Sequence, residues 1–185
     1  MIKTIDADYV GQFPILSGMM RVTDPCYRRD SWCTDIVDNV KKGAWDAYIK
    51  TDPDSHRVSE LMAFHKDVDG KTVKNASWTS REQIIGVDSG QCGFFDDKYY
   101  PENTGDYEDE NSFYYKCCSA TERDCGLVNY GVVSRSGYGD GSYGCFILED
   151  KDENVIGVKV VFIEECEDDD DEGFDYSIDY DYNDD

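Results

Sequence analysis

Three aspartates in this chain lie next to proline or glycine, where the backbone must bend: Asp24 in TDPCY, Asp88 in VDSGQ and Asp140 in GDGSY. Bends of this kind usually lie at strand ends, so the three carboxylates could meet at one rim of a sheet. With backbone carbonyls and the hydroxyl of Ser89 or Ser142, they would offer oxygen ligands to Ca²⁺ or Mg²⁺. The alternative, which we favour, is that aspartate stabilises turns by hydrogen-bonding its own backbone.

A second candidate chemistry is nucleophilic catalysis, with Cys26 or Ser89 as the attacking group and His56 or His65 as its base. The spacing of these residues matches no known triad signature. Neither Ser89 nor Ser142 lies in the G-x-S-x-G elbow of hydrolases. We therefore expect no enzyme of this class. A hydrolase built on paired carboxylates stays open, because Asp and Glu occur throughout the sequence.

The eight cysteines give little support for a metal or disulfide framework. Cys26 with Cys33, and Cys118 with Cys125, share a C-x6-C spacing that is wider than the spacing of ordinary zinc sites, and neither histidine is close in sequence. In a reducing cytosol the default is free thiols, some of them serving as small core residues.

The segment 164–185 is the most unusual part of the chain, because it holds 13 carboxylates and no Lys or Arg. Charge runs are most often solvated segments. Here, however, aromatic residues are interleaved with the acids, and such rings can stack on Arg while carboxylates pair with Lys and Arg. The residues that we predict to bind a partner are Glu164, Glu165, Glu167, Asp168, Asp169, Asp170, Asp171, Glu172, Phe174, Tyr176, Tyr180 and Tyr182.

The charge balance limits the class of partner. The formal net charge is -23, of which segment 164–185 carries -13 and residues 1–163 carry -10. Negative charge of this size disfavours binding to nucleic acid and anionic lipid, and it favours binding to basic proteins and metal cations. Because no window is long and apolar enough to span a bilayer and the N-terminal residues lack a secretory signal pattern, we expect a cytoplasmic protein.

The elements that must position these residues are mostly strands. Period-2 alternation at 44–50 indicates a half-buried strand, and the β-branched run 155–163 indicates a central one. Segment 127–163 reads as a three-stranded meander with a hairpin turn at Asp140-Gly141. Further strands are expected within 12–24 and 57–67, and residues 83–96 hold two apolar runs around a Gly-rich centre. A short helix is expected within 27–40, where Trp32, Ile36 and Val40 have helical spacing, and another within 111–124, with Ser112 as N-cap. The sequence therefore predicts an α+β, β-rich domain over 1–163, an antiparallel sheet or small sandwich with one or two short helices, followed by an acidic tail over 164–185.

Three stretches in order, DPCY (24–27), GVDSGQCGFFD (86–96) and SGYGDGSYGCF (136–146), resemble those of a family of uncharacterised proteins that we associate with bacteria and tailed phages. The likeness spans residues 18–163 and omits the tail. The resemblance implies a single β-rich domain, and it implies no particular activity because none is associated with the family. The positions at which it places a possible family site are Asp24, Cys26, Asp88, Gly90, Gln91, Asp140 and Tyr143.

Three hypotheses for function follow. The first is a non-enzymatic, phage-encoded protein whose tail, supported by the acidic loop 102–110, mimics nucleic-acid charge and occludes a basic groove on a host nucleic-acid-binding or defence protein. The second is a metal- or small-ligand-binding protein, or a hydrolase, built on the loops of Asp24, Asp88 and Asp140. The third is a structural domain with a solubilising tail. We expect no required cofactor, with Ca²⁺ or Mg²⁺ as the possible exception.

Overall fold

Eleven strands form two antiparallel sheets in the computed structural model, which describes residue 2 and residues 5–164. In chain order the strands are β1 (Asp8–Ile15), β2 (Met20–Thr23), β3 (Asp35–Val37), β4 (Gly43–Thr51), β5 (Val58–His65), β6 (Thr79–Val87), β7 (Gln91–Asp96), β8 (Cys125–Val128), β9 (Gly131–Arg135), β10 (Gly141–Glu149) and β11 (Val155–Val161). The α-helices of this part of the chain are α1 (Gly70–Lys74) and α2 (Phe113–Ala120), and single 3₁₀ turns cover Asp97–Tyr99 and Thr121–Arg123. One sheet has the order β1-β4-β5-β11-β10-β6, and the other β3-β2-β7-β9-β8.

The two sheets share one hydrophobic core, so the fold is a β-sandwich. Trp45 of β4 and Ile85 of β6 come from the six-stranded sheet, and Phe94 of β7 comes from the five-stranded sheet. All three are fully buried in the same cluster. Burying a side chain of this size stabilises the fold by about 1.5–3 kcal/mol. The predicted α+β, β-rich class with a sandwich and short helices is confirmed.

Each sheet also has a covered outer face. Tyr48 and Phe64 lie on the outer side of the six-stranded sheet beneath Val73 and Trp78, in the segment that contains α1. On the five-stranded sheet, α2 packs over a second cluster that includes Phe95. Strand β4 is consequently buried on both faces, and the predicted half-buried character of this strand was wrong.

Two expectations about local structure were also wrong. Segment 27–40 contains turns and the short strand β3, which pairs with β2, instead of a helix. Segment 127–134 is divided by a turn at Asn129-Tyr130, so that β8 and β9 form their own hairpin in the five-stranded sheet. The loop 136–140 then carries the chain across to the six-stranded sheet, so the turn at Asp140-Gly141 joins two sheets and is not a hairpin turn.

Other expectations were correct. The run 155–163 contains β11, which lies between β5 and β10 in the six-stranded sheet. Helix α2 is capped by Ser112, whose hydroxyl accepts a hydrogen bond from the backbone N–H of Tyr115 at 2.9 Å. Within the described part of the chain, no helix has the length and apolar composition needed to cross a membrane.

Candidate functional site

The three stretches of the family resemblance meet at one end of the sandwich, and Asp24 joins two of them. Its buried carboxylate accepts hydrogen bonds from the backbone N–H groups of Cys26 (2.8 Å), Asp88 (2.8 Å) and Ser89 (2.7 Å). The Ser89 hydroxyl donates a fourth, at 2.6 Å. Hydrogen bonds to a charged group are worth about 1.5–3 kcal/mol each. Asp24 therefore fixes the 88–91 turn against the DPCY turn.

The third stretch joins the same cluster through Gly90 and Tyr143. The backbone N–H of Ser136 donates to the carbonyl of Gly90 at 3.1 Å. The Tyr143 hydroxyl donates to the carbonyl oxygen of Gly139 at 2.7 Å and lies 3.0 Å from that of Ser136. A Cβ atom on Gly90 would lie 3.8 Å from the Cα of Gly139. These two predicted site residues hold the loop 136–140 in place. We call this end of the molecule the loop end. It comprises the joined loops 24–27, 88–91 and 136–140 and the neighbouring segments 28–34 and 102–110.

The geometry gives no support to the predicted metal site. Both oxygens of Asp24 are engaged by the donors described above, whereas Asp88 and Asp140 are exposed. Among the residues that the structure describes, no group of three His, Cys, Asp or Glu side chains is placed to hold a metal ion. Binding of Ca²⁺ or Mg²⁺ by this trio stays a prediction.

The arrangement around Cys26 does not favour nucleophilic catalysis. Burial, followed by the nearby charge of Asp24, raises the pKa of the Cys26 thiol, and a protonated thiol is a weak nucleophile. His65 is buried and His56 lies in a turn. Within residues 5–164, no hydrogen bond joins either histidine to Cys26 or Ser89.

An open cleft of about 320 Å³ lies beside the joined loops and presents an aromatic face next to a carboxylate. Its lining includes Tyr27, Trp32, Asp88 and Ser142. Trp32 is 87% exposed. Burial, followed by interaction with the Asp88 carboxylate, raises the pKa of Tyr27. An exposed indole beside a carboxylate can receive a cationic side chain.

A second cleft, of about 330 Å³, adjoins the 88–91 turn, and its charged lining residues are Arg57, Arg135 and Glu122. Arg57 lies over the ring of Tyr138, at 5.2 Å from its centroid. Arg135 donates from Nε to the carbonyl of Thr121 at 3.0 Å. The predicted site residue Gln91 lies at the base of this cleft. Its Oε1 accepts a hydrogen bond from the Thr121 hydroxyl at 3.1 Å.

The acidic loop 102–110 is anchored to the same end of the molecule. The Thr104 hydroxyl donates to the carbonyl of Cys26 at 3.2 Å, and the Ser112 hydroxyl donates to the carbonyl of Asp106 at 2.6 Å. The loop is therefore held against the DPCY turn at one point and against the start of α2 at another.

The loop end combines exposed acids with exposed aromatic rings. Trp32, Tyr138 and Tyr107, which are 87%, 69% and 59% exposed, are the most exposed large aromatic side chains of the described residues. The exposed carboxylates of the same loops and segments are Asp30, Asp88, Glu102, Asp106, Glu108, Asp109, Glu110 and Asp140. The mixture of acidic and aromatic residues that the sequence shows in segment 164–185 is therefore also present on the surface of the folded domain.

Fold and site together define a two-sheet β-sandwich with a polar, loop-borne surface at one end. Comparison with protein-family models, with curated proteins and with solved structures found no match. The family resemblance of the three motifs stays a prediction, and function must be argued from this surface. Of the predicted partner-binding residues, Glu164 is exposed, and those from Glu165 to Tyr182 lie outside the described residues.

Sequence reasoning missed several residues of the two clefts. Trp32 was assigned to a helix face, although it lies in a turn. Tyr27 and Tyr138 lie inside the motifs DPCY and SGYGDG, and an aromatic residue within a Pro- or Gly-rich turn is a signal that could have identified them. Arg57 and Arg135 are isolated in sequence, and no local pattern marks them.

Proposed function

We propose that this protein is a non-enzymatic binding protein that occludes a basic surface of a nucleic-acid-binding protein, such as a nuclease or defence effector of a phage host. The observation that carries the proposal is that the loop end presents the exposed aromatic side chains of Trp32 and Tyr107 together with several exposed carboxylates. In this role, carboxylates take the positions of phosphates and aromatic rings take those of stacked bases.

The exposed aromatic residues support a protein partner. Tryptophan and tyrosine are enriched among the residues that dominate binding energy at protein interfaces. Trp32 also lies in a cleft with the carboxylate of Asp88, an arrangement suited to a Lys or Arg side chain of a partner. The cleft of Trp32 is therefore the expected centre of the interface.

Anchoring of the acidic loop also supports binding. Thr104 and Ser112 hold the loop 102–110 on the body through hydrogen bonds. A surface that is already ordered loses less conformational entropy when it binds. The net charge of -23 would in addition accelerate encounters with a positive surface, and this acceleration falls as salt rises.

The test compares charge-matched variants. One variant carries Trp32→Ala with Glu108→Gln and Glu110→Gln. The control carries Asp152→Asn and Glu153→Gln in the β10–β11 turn, at the opposite end of β10. Proteins from a bacterial host lysate that bind a DNA column are passed over each immobilised variant and then challenged with free duplex DNA.

We expect the wild-type chain and the control to retain a DNA-binding protein that free duplex DNA releases. The loop-end variant should retain it at least about tenfold more weakly, because truncating a central aromatic residue typically costs about 2 kcal/mol or more. Retention that neither DNA nor the loop-end substitutions reduce would reject the proposal. A further variant ending at Glu164 measures what segment 165–185 adds to affinity across a salt series.

A further inference from the structure

The cleft of Arg57 and Arg135 differs in charge from the rest of this acidic chain. Three other arginines form close ion pairs with aspartates at 2.7–2.9 Å: Arg21 and Arg29 share Asp97, and Arg81 pairs with Asp35. Within the described residues, Arg57 has no carboxylate at ion-pair distance. Arg135 has only Asp124, at 3.7 Å, and both of these side chains are more than half exposed. Such an exposed pair contributes about 0–1 kcal/mol.

Most hydrogen-bond donors of these two arginines remain open to the cleft. A guanidinium carries five N–H donors. Arg57 donates to the carbonyl of Gly137 at 3.3 Å and rests on the ring of Tyr138, while Arg135 donates to the carbonyl of Thr121. Each guanidinium is therefore oriented by a backbone contact and retains donors for a ligand.

Part of the main chain that lines the cleft is also accessible to a ligand. A Cβ atom on Gly139, whose φ is +115°, would meet nothing within 4 Å. A ligand can therefore approach the main chain closely at this point. The base is polar, because Gln91 is buried there with its Nε2 donating to the Sγ atom of Cys118 at 3.4 Å.

We propose that this cleft binds a small anion through a carboxylate or phosphate group held between Arg57 and Arg135. The planar fork of a guanidinium matches the paired oxygens of such groups and binds them with two parallel hydrogen bonds. Salt at physiological concentration screens the negative charge of the chain beyond about 8 Å. Within the cleft, two guanidiniums therefore stand against one lining carboxylate, that of Glu122. The inference does not rest on the proposed function.

Two sources could supply this chemistry. One is a free anion. The other is the carboxylate-rich segment 165–185 of the chain itself, because the described chain reaches the cleft at its C-terminal end. A Cβ atom on Gly137 would lie only 3.0 Å from Cγ1 of Ile163, and the carboxylates begin at the next residue, Glu164.

The experiment uses the full chain and a variant ending at Glu164, each titrated with inorganic phosphate and with succinate. The readout is the rate at which iodoacetamide alkylates Cys118, resolved by peptide mass spectrometry, because this thiol lines the cleft. Isothermal titration calorimetry gives the affinity independently. Arg57→Gln is the test substitution, and Arg28→Gln, which removes the same charge from an exposed site outside the cleft lining, is its control.

We expect saturable protection of Cys118, about tenfold weaker in Arg57→Gln, as for the loss of one charged hydrogen-bonded pair, and unchanged in Arg28→Gln. Protection by added anion that appears only after removal of 165–185 identifies this segment as the occupant. Equal protection in both chains identifies a free anion. Absence of saturable protection in both chains, or equal protection in Arg57→Gln, overturns the proposal. Arg135→Gln provides a second variant should Arg57→Gln fail to fold, as judged by circular dichroism.

Discussion

Asp24 shows how much of the loop end can depend on one side chain. Its carboxylate is the common acceptor for four donors from two turns. Asparagine has the same shape as aspartate, but its NH₂ group would face these N–H and O–H donors. At least one donor would then lack an acceptor. An unsatisfied buried donor costs about 1–3 kcal/mol.

We therefore predict that Asp24→Asn lowers the free energy of unfolding by about 3 kcal/mol. Asp140→Asn, at an exposed carboxylate of the same loops, should change it by less than about 0.5 kcal/mol. Urea denaturation followed by tryptophan fluorescence measures both. Equal effects of the two substitutions would show that Asp24 does not join the turns.

His65 makes stability depend on pH. It lies edge-on against Trp45, and its Nε2 atom lies 3.2 Å from the carbonyl oxygen of Lys42. Burial lowers its pKa from the ordinary value of 6.5. As pH falls through 6.5 the unfolded chain takes up a proton that the folded chain does not, so this contribution to stability is present above pH 6.5 and is lost on acidification.

We predict that the free energy of unfolding falls between about pH 7.5 and pH 5.5, and that His65→Gln flattens this dependence. The matched control is His56→Gln, at an exposed turn position, which should leave the slope unchanged. Denaturant midpoints at the two pH values provide the measurement. A slope that survives in His65→Gln would contradict the assignment.

At the scale of elements, helix α2 connects the core to the surface of the loop end. Its N-cap residue, Ser112, accepts from the backbone N–H of Tyr115 and donates to the carbonyl of Asp106 in the acidic loop. The same hydroxyl therefore begins the helix and holds the loop 102–110 against it.

We predict that Ser112→Ala lowers the free energy of unfolding by about 1 kcal/mol, the usual cost of losing a cap. It should also increase amide hydrogen exchange within 102–110. Ser119→Ala, at an exposed position of the same helix, serves as the control. Unchanged exchange in the loop would show that its order does not depend on this hydroxyl.

Local patterns predicted the elements better than their assembly. The run 155–163 and the N-cap at Ser112 were read correctly because β-branching and capping act over a few residues. The helix expected at 27–40 rested on the spacing of Trp32, Ile36 and Val40. That spacing is coincidental, because Trp32 is exposed in a turn and Ile36 lies in a strand.

The sheet to which a strand belongs could not be read from its sequence. Strands β9 and β10 both have strand character, yet they belong to different sheets. Contacts between residues far apart in sequence decide this choice. The residues of the loop end could likewise be predicted only where they lie in local sequence motifs. The motif loops containing Asp24, Asp88 and Asp140 were expected to meet, but the arginine cleft required Arg57 and Arg135 from β-strand boundaries that share no sequence pattern.

At the scale of the whole molecule, charge opposes compaction. The formal net charge is -23, and segment 164–185 alone holds 13 carboxylates. Self-repulsion of this kind destabilises the compact state, and salt relieves it. Raising ionic strength from about 0.01 M to about 1 M shortens the screening length from about 30 Å to about 3 Å.

We predict that the free energy of unfolding rises over this range of NaCl concentration, and that it rises less in a chain ending at Glu164. Thermal or urea unfolding of both chains at each salt concentration provides the comparison. Identical salt dependence in the two chains would mean that segment 165–185 does not contribute to repulsion in the folded state.

The central position of β11 has a consequence for biosynthesis. This strand is the last of the described part of the chain, yet it pairs with β5 on one side and β10 on the other. Before β11 has left the ribosome, the group β1-β4-β5 cannot pair with the group β10-β6. Strands β5 and β10 then each have an unpaired edge. Such edges are prone to aggregation. We therefore expect completion of this sheet to be a late event in folding, and we expect nascent chains that stop before residue 155 to be prone to aggregation.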